Sequence, residues 1–262
     1  MPAVAGLFYP DDVDELRSTV SAYLAQNRSQ SPGAPPKALI VPHAGYIYSG
    51  GIAAAAYASV AALRSTIRRI VLIGPSHRVY LRGMAVPAAD CFATPLGKVA
   101  VDRALKSTLL QRREVVEADA PHAQEHSLEV QLPFLQMLFD EFTLLPLVLG
   151  SVAPEHVAAA LADVWGDAAT LALVSSDLSH YHTYEQARQI DAATSASILR
   201  REATLVGEQA CGSVGINGLL YLAGQRDFVV SQIARCNSGD TAGDRSRVVG
   251  YGAFAVHEPG HA

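Results

Sequence analysis

The stretch Ala38-Leu39-Ile40-Val41-Pro42-His43 sets four apolar residues in a row, without polar alternation, just before a histidine. The layout recurs twice. Ile70-Val71-Leu72-Ile73 runs into Gly74-Pro75-Ser76-His77, and Leu171-Ala172-Leu173-Val174 runs into Ser175-Ser176-Asp177-Leu178-Ser179-His180. Unbroken apolar runs of this length suit strands covered on both faces, as in a parallel sheet. In open α/β sheets, ligands bind in the crevice at the carboxyl ends of the strands. The pattern therefore predicts that His43, His77, Asp177 and His180 converge on one pocket with metal or acid–base chemistry.

Outward from these segments, strands alternate with helices. Asp11 or Asp12 can cap a helix to about Ala25, and residues 27–36 read as a Ser/Pro/Gly-rich connector. Strand 37–42 precedes an Ala-rich helix ending near Ser65, and strand 69–74 follows. Residues 84–87 and 98–101 read as short strands around the turn Thr94-Pro95-Leu96-Gly97. Helices are expected from Asp102 and from about Glu125 to Phe139. Strand 142–149, a helix from Pro154 to Trp165 and strand 170–175 come next. Helices near 184–200 and 213–222 lead to closing strands near 228–234 and 248–256. This alternation predicts an α/β/α sandwich around a central mixed, largely parallel sheet. No repeat or shift in composition divides residues 1–262, so one domain is expected.

Half of the 262 residues are hydrophobic and 17% are charged, which excludes a disordered chain. A net charge of −5 leaves no basic footprint for nucleic acid. Cys91, Cys211 and Cys236 are odd in number and lack C-x-x-C spacing, which argues against disulfides and fits a reducing compartment. The N-terminal residues do not resemble a signal peptide, and the weakly polar stretch 50–63 is too short to span a bilayer. A cytoplasmic protein without a membrane partner is expected.

Two imidazoles plus a carboxylate or thiolate can hold a divalent ion while leaving positions open for substrate. His43 and His77 are read as that pair, against the plainer alternative that each satisfies a loop carbonyl. His180 is read as a general acid–base group, oriented by Asp177. His182 is assigned to the surface. A Ser/Asp/His hydrolase lacks the G-x-S-x-G elbow at Ser175, Ser176 or Ser179. His122-Ala123-Gln124-Glu125-His126 matches the inverted zinc-peptidase pattern H-x-x-E-H, although Pro121 suggests a helix only beginning there. Glu125, His126 and Glu129 are candidates for the same pocket in any case. In the segment 235–246, Cys236, Asp240 or Asp244 are candidates to complete a metal site, against a plain Asx-capped turn. Cys91 and Cys211 are read as small buried residues.

These pieces together resemble the Memo family, whose bacterial and archaeal branch is called AmmeMemoRadiSam system protein B. The resemblance is carried by Pro2-Ala3-Val4-Ala5-Gly6-Leu7-Phe8-Tyr9-Pro10, Pro42-His43-Ala44-Gly45-Tyr46-Ile47-Tyr48-Ser49-Gly50, Gly74-Pro75-Ser76-His77 and Thr94-Pro95-Leu96-Gly97. Glu125-His126-Ser127-Leu128-Glu129-Val130-Gln131-Leu132-Pro133-Phe134, Ser175-Ser176-Asp177-Leu178-Ser179-His180 and Asn237-Ser238-Gly239-Asp240 complete it. It implies a fold like that of the class III extradiol dioxygenases, with iron at the strand ends. By similarity His43 and His77 are the metal-binding histidines, and His180 with Asp177 the acid–base group. The dioxygenases use a glutamate as third ligand and animal relatives a cysteine. Counting back from Tyr251-Gly252-Ala253 puts Thr241 at that position, so Cys236 is the expected substitute, with Asp240 as the alternative. Tyr46, Tyr48, Glu125 and His126 are expected in the pocket wall.

Three functions stay open at this point. One is an oxygen-using or redox enzyme with iron, or with zinc or copper in its place. Another is a non-enzymatic module holding a small molecule, a peptide or a partner protein. The family name implies partners carrying an AMMECR1-type domain and a radical-SAM enzyme. A zinc-dependent hydrolase is the third.

Overall fold

Four strands build the centre of the sheet: β1 (Ala38–Val41), β2 (Arg69–Pro75), β7 (Thr143–Leu149) and β8 (Thr170–Ser175). The structure is a computed structural model that describes residues 2–27 and 35–260. Most of the connector expected at 27–36 lies outside the described residues. The centre runs β1-β8-β2-β7, all parallel. Successive side chains along a strand point to opposite faces. Leu39, Val41, Ile70, Leu72, Leu171 and Leu173 accordingly join one core, and Ala38, Ile40, Val71, Ile73, Ala172 and Val174 the other. Both faces need apolar residues, which is why these strands show no alternation in the sequence.

The flanks join the centre antiparallel. β10 (Val229–Asn237) and β11 (Val248–His257) close the β1 side, and β3 (Met84–Val86) with β6 (Val115–Glu117) extends the β7 side. Of these flank pairs only the outermost, β3 with β6, is parallel again. β9 (His180–His182) pairs with β11 off the main path. β4 (Cys91–Thr94) and β5 (Gly97–Ala100) form a separate hairpin. One face is covered by α1 (Val13–Gln26), α2 (Tyr46–Ala58) and α5 (Leu132–Leu138), whose buried residues belong to one core. α6 (Pro154–Val164) and α8 (Ser213–Gln225) pack against each other on the opposite face, with α3 (Arg103–Leu109) and α7 (Tyr184–Leu199) beside them. The result is the layered α/β/α sandwich around a mixed, largely parallel sheet. No described helix is long and apolar enough to cross a membrane.

Two of the expected helices are altered, and the strand before the turn Thr94–Gly97 is β4, not residues 84–87. The helix expected from Glu125 to Phe139 is two helices, α4 (His126–Glu129) and α5. Pro133 lacks the N–H that would bond back to the carbonyl of Glu129, so the ladder breaks there. The Ala-rich helix ends at Ala58 and continues only as a short 3₁₀ turn at Ala61–Leu63.

Register sets up the site. Val41 stands opposite Ser175, and Val174 opposite Ile73, so the carboxyl ends of β1, β8 and β2 form one ledge. His43, Asp177 and His77 follow those three ends.

Candidate functional site

A cavity of about 590 Å³ opens on that ledge, lined by His43, His77, His126, Asp177, His180, His182, Arg78, Phe8, Tyr181, Glu208 and Cys211, among others. His43 lies at its floor, 1% exposed. Its Nδ1 is 2.9 Å from Ser175 Oγ. That hydroxyl donates to the Ser127 carbonyl (2.6 Å) and accepts from Gln131 Nε2 (2.9 Å), and Tyr57 OH holds the Gln131 amide oxygen (2.7 Å). With its one proton committed, Ser175 Oγ can only accept from His43, so His43 carries its proton on Nδ1. Its Nε2 lone pair faces the cavity.

The same logic applies to two more rings. His77 Nδ1 lies 2.8 Å from Glu125 Oε1, while His77 N donates to Oε2 at 2.6 Å and Ser127 N to Oε1 at 2.9 Å. Burial alone would raise the Glu125 carboxyl, but these hydrogen bonds from His77 and Ser127 outweigh it and hold the pKa at about 2. Glu125 is therefore a carboxylate, and His77 donates to it from Nδ1, leaving Nε2 free. His180 Nδ1 donates to the Leu178 carbonyl at 2.8 Å. Its Nε2 is likewise left as a base in the cavity.

His126 completes a compact trio. One nitrogen from each of His43, His77 and His126 lies within 4.8 Å of the others. The His126 ring stacks on His77 (centroids 4.6 Å), meets His43 edge-on (5.2 Å) and rests against Phe8 (4.6 Å). Its buried Nδ1 has no hydrogen-bond partner, Glu125 Oε1 standing 3.4 Å off. Burial, reinforced by His77, pushes the His126 pKa down to about 4. Burial and the neighbouring histidines also push His43 well below the usual imidazole range. Three imidazoles gathered within ligand distance of one another, one bearing an orphaned buried nitrogen, fit a divalent metal.

Phe8 reaches the site because Glu129 anchors the N-terminal segment. Its carboxylate accepts from Ala3 N (2.6 Å), Val4 N (3.0 Å) and Tyr9 OH (2.6 Å). Glu129 is thus a clamp and does not line the histidine cavity.

Several expectations are corrected by these placements. Cys236, the expected third ligand, lines a different cavity with Arg188, Asp191, Arg235, Asn237 and Asp240. Strand β10 runs on to Asn237 and holds Cys236 in register with Tyr251, so no loop shift carries it to the histidines. Asp177 does not bind His180; its Oδ1 accepts from His43 N at 2.8 Å, which shapes the His43 turn. Burial raises the Asp177 pKa to about 7 against that bond. Tyr46 is core, with its hydroxyl on the Val130 carbonyl (2.8 Å), and Tyr48 and Glu125 also lie outside the cavity lining. His182 belongs to that lining. His122 is not paired with His126 on a helix: it precedes α4 and bonds the Ala85 carbonyl through Nε2 (3.1 Å). The inverted zinc-peptidase arrangement is therefore not formed.

Cys211 was missed as a site residue. Its Sγ lies 3.2 Å from His43 Nε2 and accepts from Asp177 N at 3.3 Å. Burial, with the Asp177 charge, pushes the thiol up to about 12. No local spacing in the sequence links residue 211 to residue 43.

A Memo-like protein family model matches residues 1–255. This chain belongs to the Memo family. A "MEMO1 family protein" of Aquifex aeolicus is 36% identical, covering 95% of this chain and 96% of its own. One from Methanobrevibacter smithii is also 36% identical, over 95% and 96% of the two chains. One from Thermotoga neapolitana is 33% identical with the same coverage. Among solved structures, the uncharacterized protein JW3007 from Escherichia coli K12 has a TM-score of 0.54 at 12% identity. It is covered over 98% of its length by 83% of this chain. That likeness concerns the fold. In this Memo-family chain the ledge, the histidine trio and His180 share one cavity.

Proposed function

We propose that this Memo-family protein is a metal-dependent enzyme in which His43, His77 and His126 hold one divalent ion. The observation that carries the reading is the convergence of three imidazoles beside a fourth, His180, that is not needed as a ligand. Three protein ligands leave positions open for a small molecule. The metal would supply Lewis acidity or, as iron, a site for oxygen-using chemistry like that of the extradiol dioxygenases. His180 Nε2 takes a proton from the substrate or returns one, and its Nδ1–H bond to Leu178 O holds the ring while it does so. Glu125 and Ser175 orient His77 and His43 from behind. Phe8 and Tyr181 give the cavity apolar walls.

The donor set also favours a second reading. Three imidazoles without a carboxylate are the ligand set of catalytic zinc in hydration chemistry. Elemental analysis of protein purified without oxygen separates the readings. About one iron per chain, lost in His43→Ala/His77→Ala, supports oxygen chemistry, and oxygen uptake with catechol-like substrates then tests it. Zinc redirects the search to hydrolysis. No bound metal, with none taken up on addition, overturns both and leaves the cavity as a binding site for a peptide or partner protein.

A further inference from the structure

We propose that a second cavity, walled on one side by the β4–β5 hairpin, binds an organic amine in its protonated form. It measures about 430 Å³ and shares no lining residue with the histidine cavity. That volume lies within the range of small-molecule sites, about 300–1,000 Å³. The inference does not depend on metal binding at the histidines.

Three segments build this cavity. The hairpin contributes Phe92 and Lys98, the chain just after β3 contributes Pro87, and the link from β6 to α4 contributes Asp119 and His122. A lone two-stranded hairpin is marginal in water. This one is fastened to α5: Thr94 Oγ1 donates to Gln136 Oε1 (2.5 Å), and Gln136 Nε2 donates to the Gly97 carbonyl (3.1 Å). Across the cavity, Asp119 Oδ1 accepts from Ala88 N (2.8 Å) and Ala89 N (3.1 Å), which fixes the chain after β3. The walls are thus tied to the body of the fold on both sides.

The side chains that line it are chiefly acceptors. His122 is 8% exposed, and its Nε2 lies 3.1 Å from the Ala85 carbonyl. A carbonyl can only accept, so Nε2 carries the proton and Nδ1 is a bare lone pair. That buried Nδ1 has no hydrogen-bond partner. An acceptor left unpaired in the interior is costly, and a donor brought in by a ligand removes the cost. Asp119 Oδ2 accepts no bond among the described residues, its partner Oδ1 being the one that holds Ala88 and Ala89.

Charge narrows the ligand. Glu129, already bonded by Ala3, Val4 and Tyr9, lines the same cavity, so two carboxylates face one ammonium, that of Lys98. Lys98 is exposed and has no ion pair among the described residues. The balance is one negative charge, which a single protonated amine offsets. Phe92 stands edge-on to His122, with ring centroids 5.9 Å apart, and aromatic rings attract organic cations. A metal ion suits the cavity less well, since the only described side chains gathered within ligand distance are the three histidines of the other site. The amine N–H groups would meet His122 Nδ1 and Asp119 Oδ2, with the carbon body against Phe92 and Pro87.

The probe is phenethylamine, titrated by calorimetry into chelator-treated full-length protein. 2-Phenylethanol and 3-phenylpropionate serve as neutral and anionic molecules of similar shape. The amine should bind at one site per chain, and the other two should bind at least about 10-fold more weakly. Asp119→Asn keeps an oxygen for Ala88 and Ala89 but removes the charge, and His122→Phe removes the lone pair. Each should weaken the amine by about 10-fold or more, with folding checked by circular dichroism. Lys98→Ala should tighten it, and His43→Ala/His77→Ala should leave it unchanged. Equal binding of the alcohol overturns the assignment of a cation, and no binding of the amine overturns the site. An affinity that falls in His43→Ala/His77→Ala but not in Asp119→Asn puts the amine in the histidine cavity and sinks the proposal.

Discussion

Ser175 shows how much of the site depends on a residue that stands behind a proposed metal ligand. Its hydroxyl sets the tautomer of His43 through a bond that it can make only as acceptor. Ser175→Ala should therefore leave stoichiometry intact and weaken metal affinity about 10–100-fold, measured by chelator competition. The buried groups it strands should cost about 1–3 kcal/mol in urea unfolding. His122 offers a separate test through pH. Burial takes its pKa down to about 4, its Nε2 on the Ala85 carbonyl notwithstanding. The folded state therefore resists protonating a ring that the unfolded chain protonates near pH 6.5. Below that pH the unfolded chain binds more protons, so stability falls from about pH 6.5 to about pH 4 and then levels. A shift of this size corresponds to about 3 kcal/mol. In His122→Gln that share of the slope should be lost, leaving the smaller slope that His126 and His43 supply, and equal pH profiles for the two proteins would reject the assignment. At this scale the sequence was readable wherever a polar residue follows an apolar run. His43, His77, Asp177 and His180 all do. His126 was expected in the pocket wall, but as a ligand only inside a motif that paired it with the wrong histidine. Cys211 follows no strand and belongs to no spacing, so its approach to His43 depends on a loop whose path only the fold defines.

The strands that place those residues are held by side chains from neighbours far apart in sequence. Leu39, Leu173 and Leu72 stand side by side across β1, β8 and β2 and share one core. Leu173 is at the centre of that row and 1% exposed. Leu173→Ala should cost about 2–5 kcal/mol, the range for a buried leucine whose cavity only partly collapses. Because the row lies below the ledge, metal stoichiometry of the folded variant should not change. A loss of metal without a loss of stability would mean that the ledge is supported elsewhere. α1 is a smaller test. Asp12 accepts from Asp14 N (3.0 Å) and Glu15 N (2.9 Å), so Asp12→Ala should cost about 1 kcal/mol. The central strands and most helices were legible because their apolar residues are continuous or periodic. β6 and β9 were not: three residues are too few for a period, and each exists because a neighbouring strand offers it an edge. The break between α4 and α5 is decided by the missing N–H of Pro133, but the run of leucines around it reads as one helix.

For the molecule as a whole, the order β1-β8-β2 matters most, because it brings residues 43, 177 and 77 onto adjacent strand ends. Apolar runs announce strands, and their order is settled only when helices from distant segments cover both faces. The site is thus a product of the complete fold, and metal binding should report on folding. An ion that binds the folded chain and not the unfolded one adds about 2.7 kcal/mol at a free concentration one hundred times its dissociation constant. For a chain of this size each kcal/mol moves the melting midpoint by about 2–4 °C, so zinc or iron(II) at that level should raise Tm by about 5–11 °C. His43→Ala/His77→Ala should show no such rise at the same ion concentration, because two of the three imidazoles are gone. His182→Ala, which removes a cavity histidine outside the trio, should keep it. An equal rise in the double variant would place the ion elsewhere on the surface and detach the ledge from metal binding altogether.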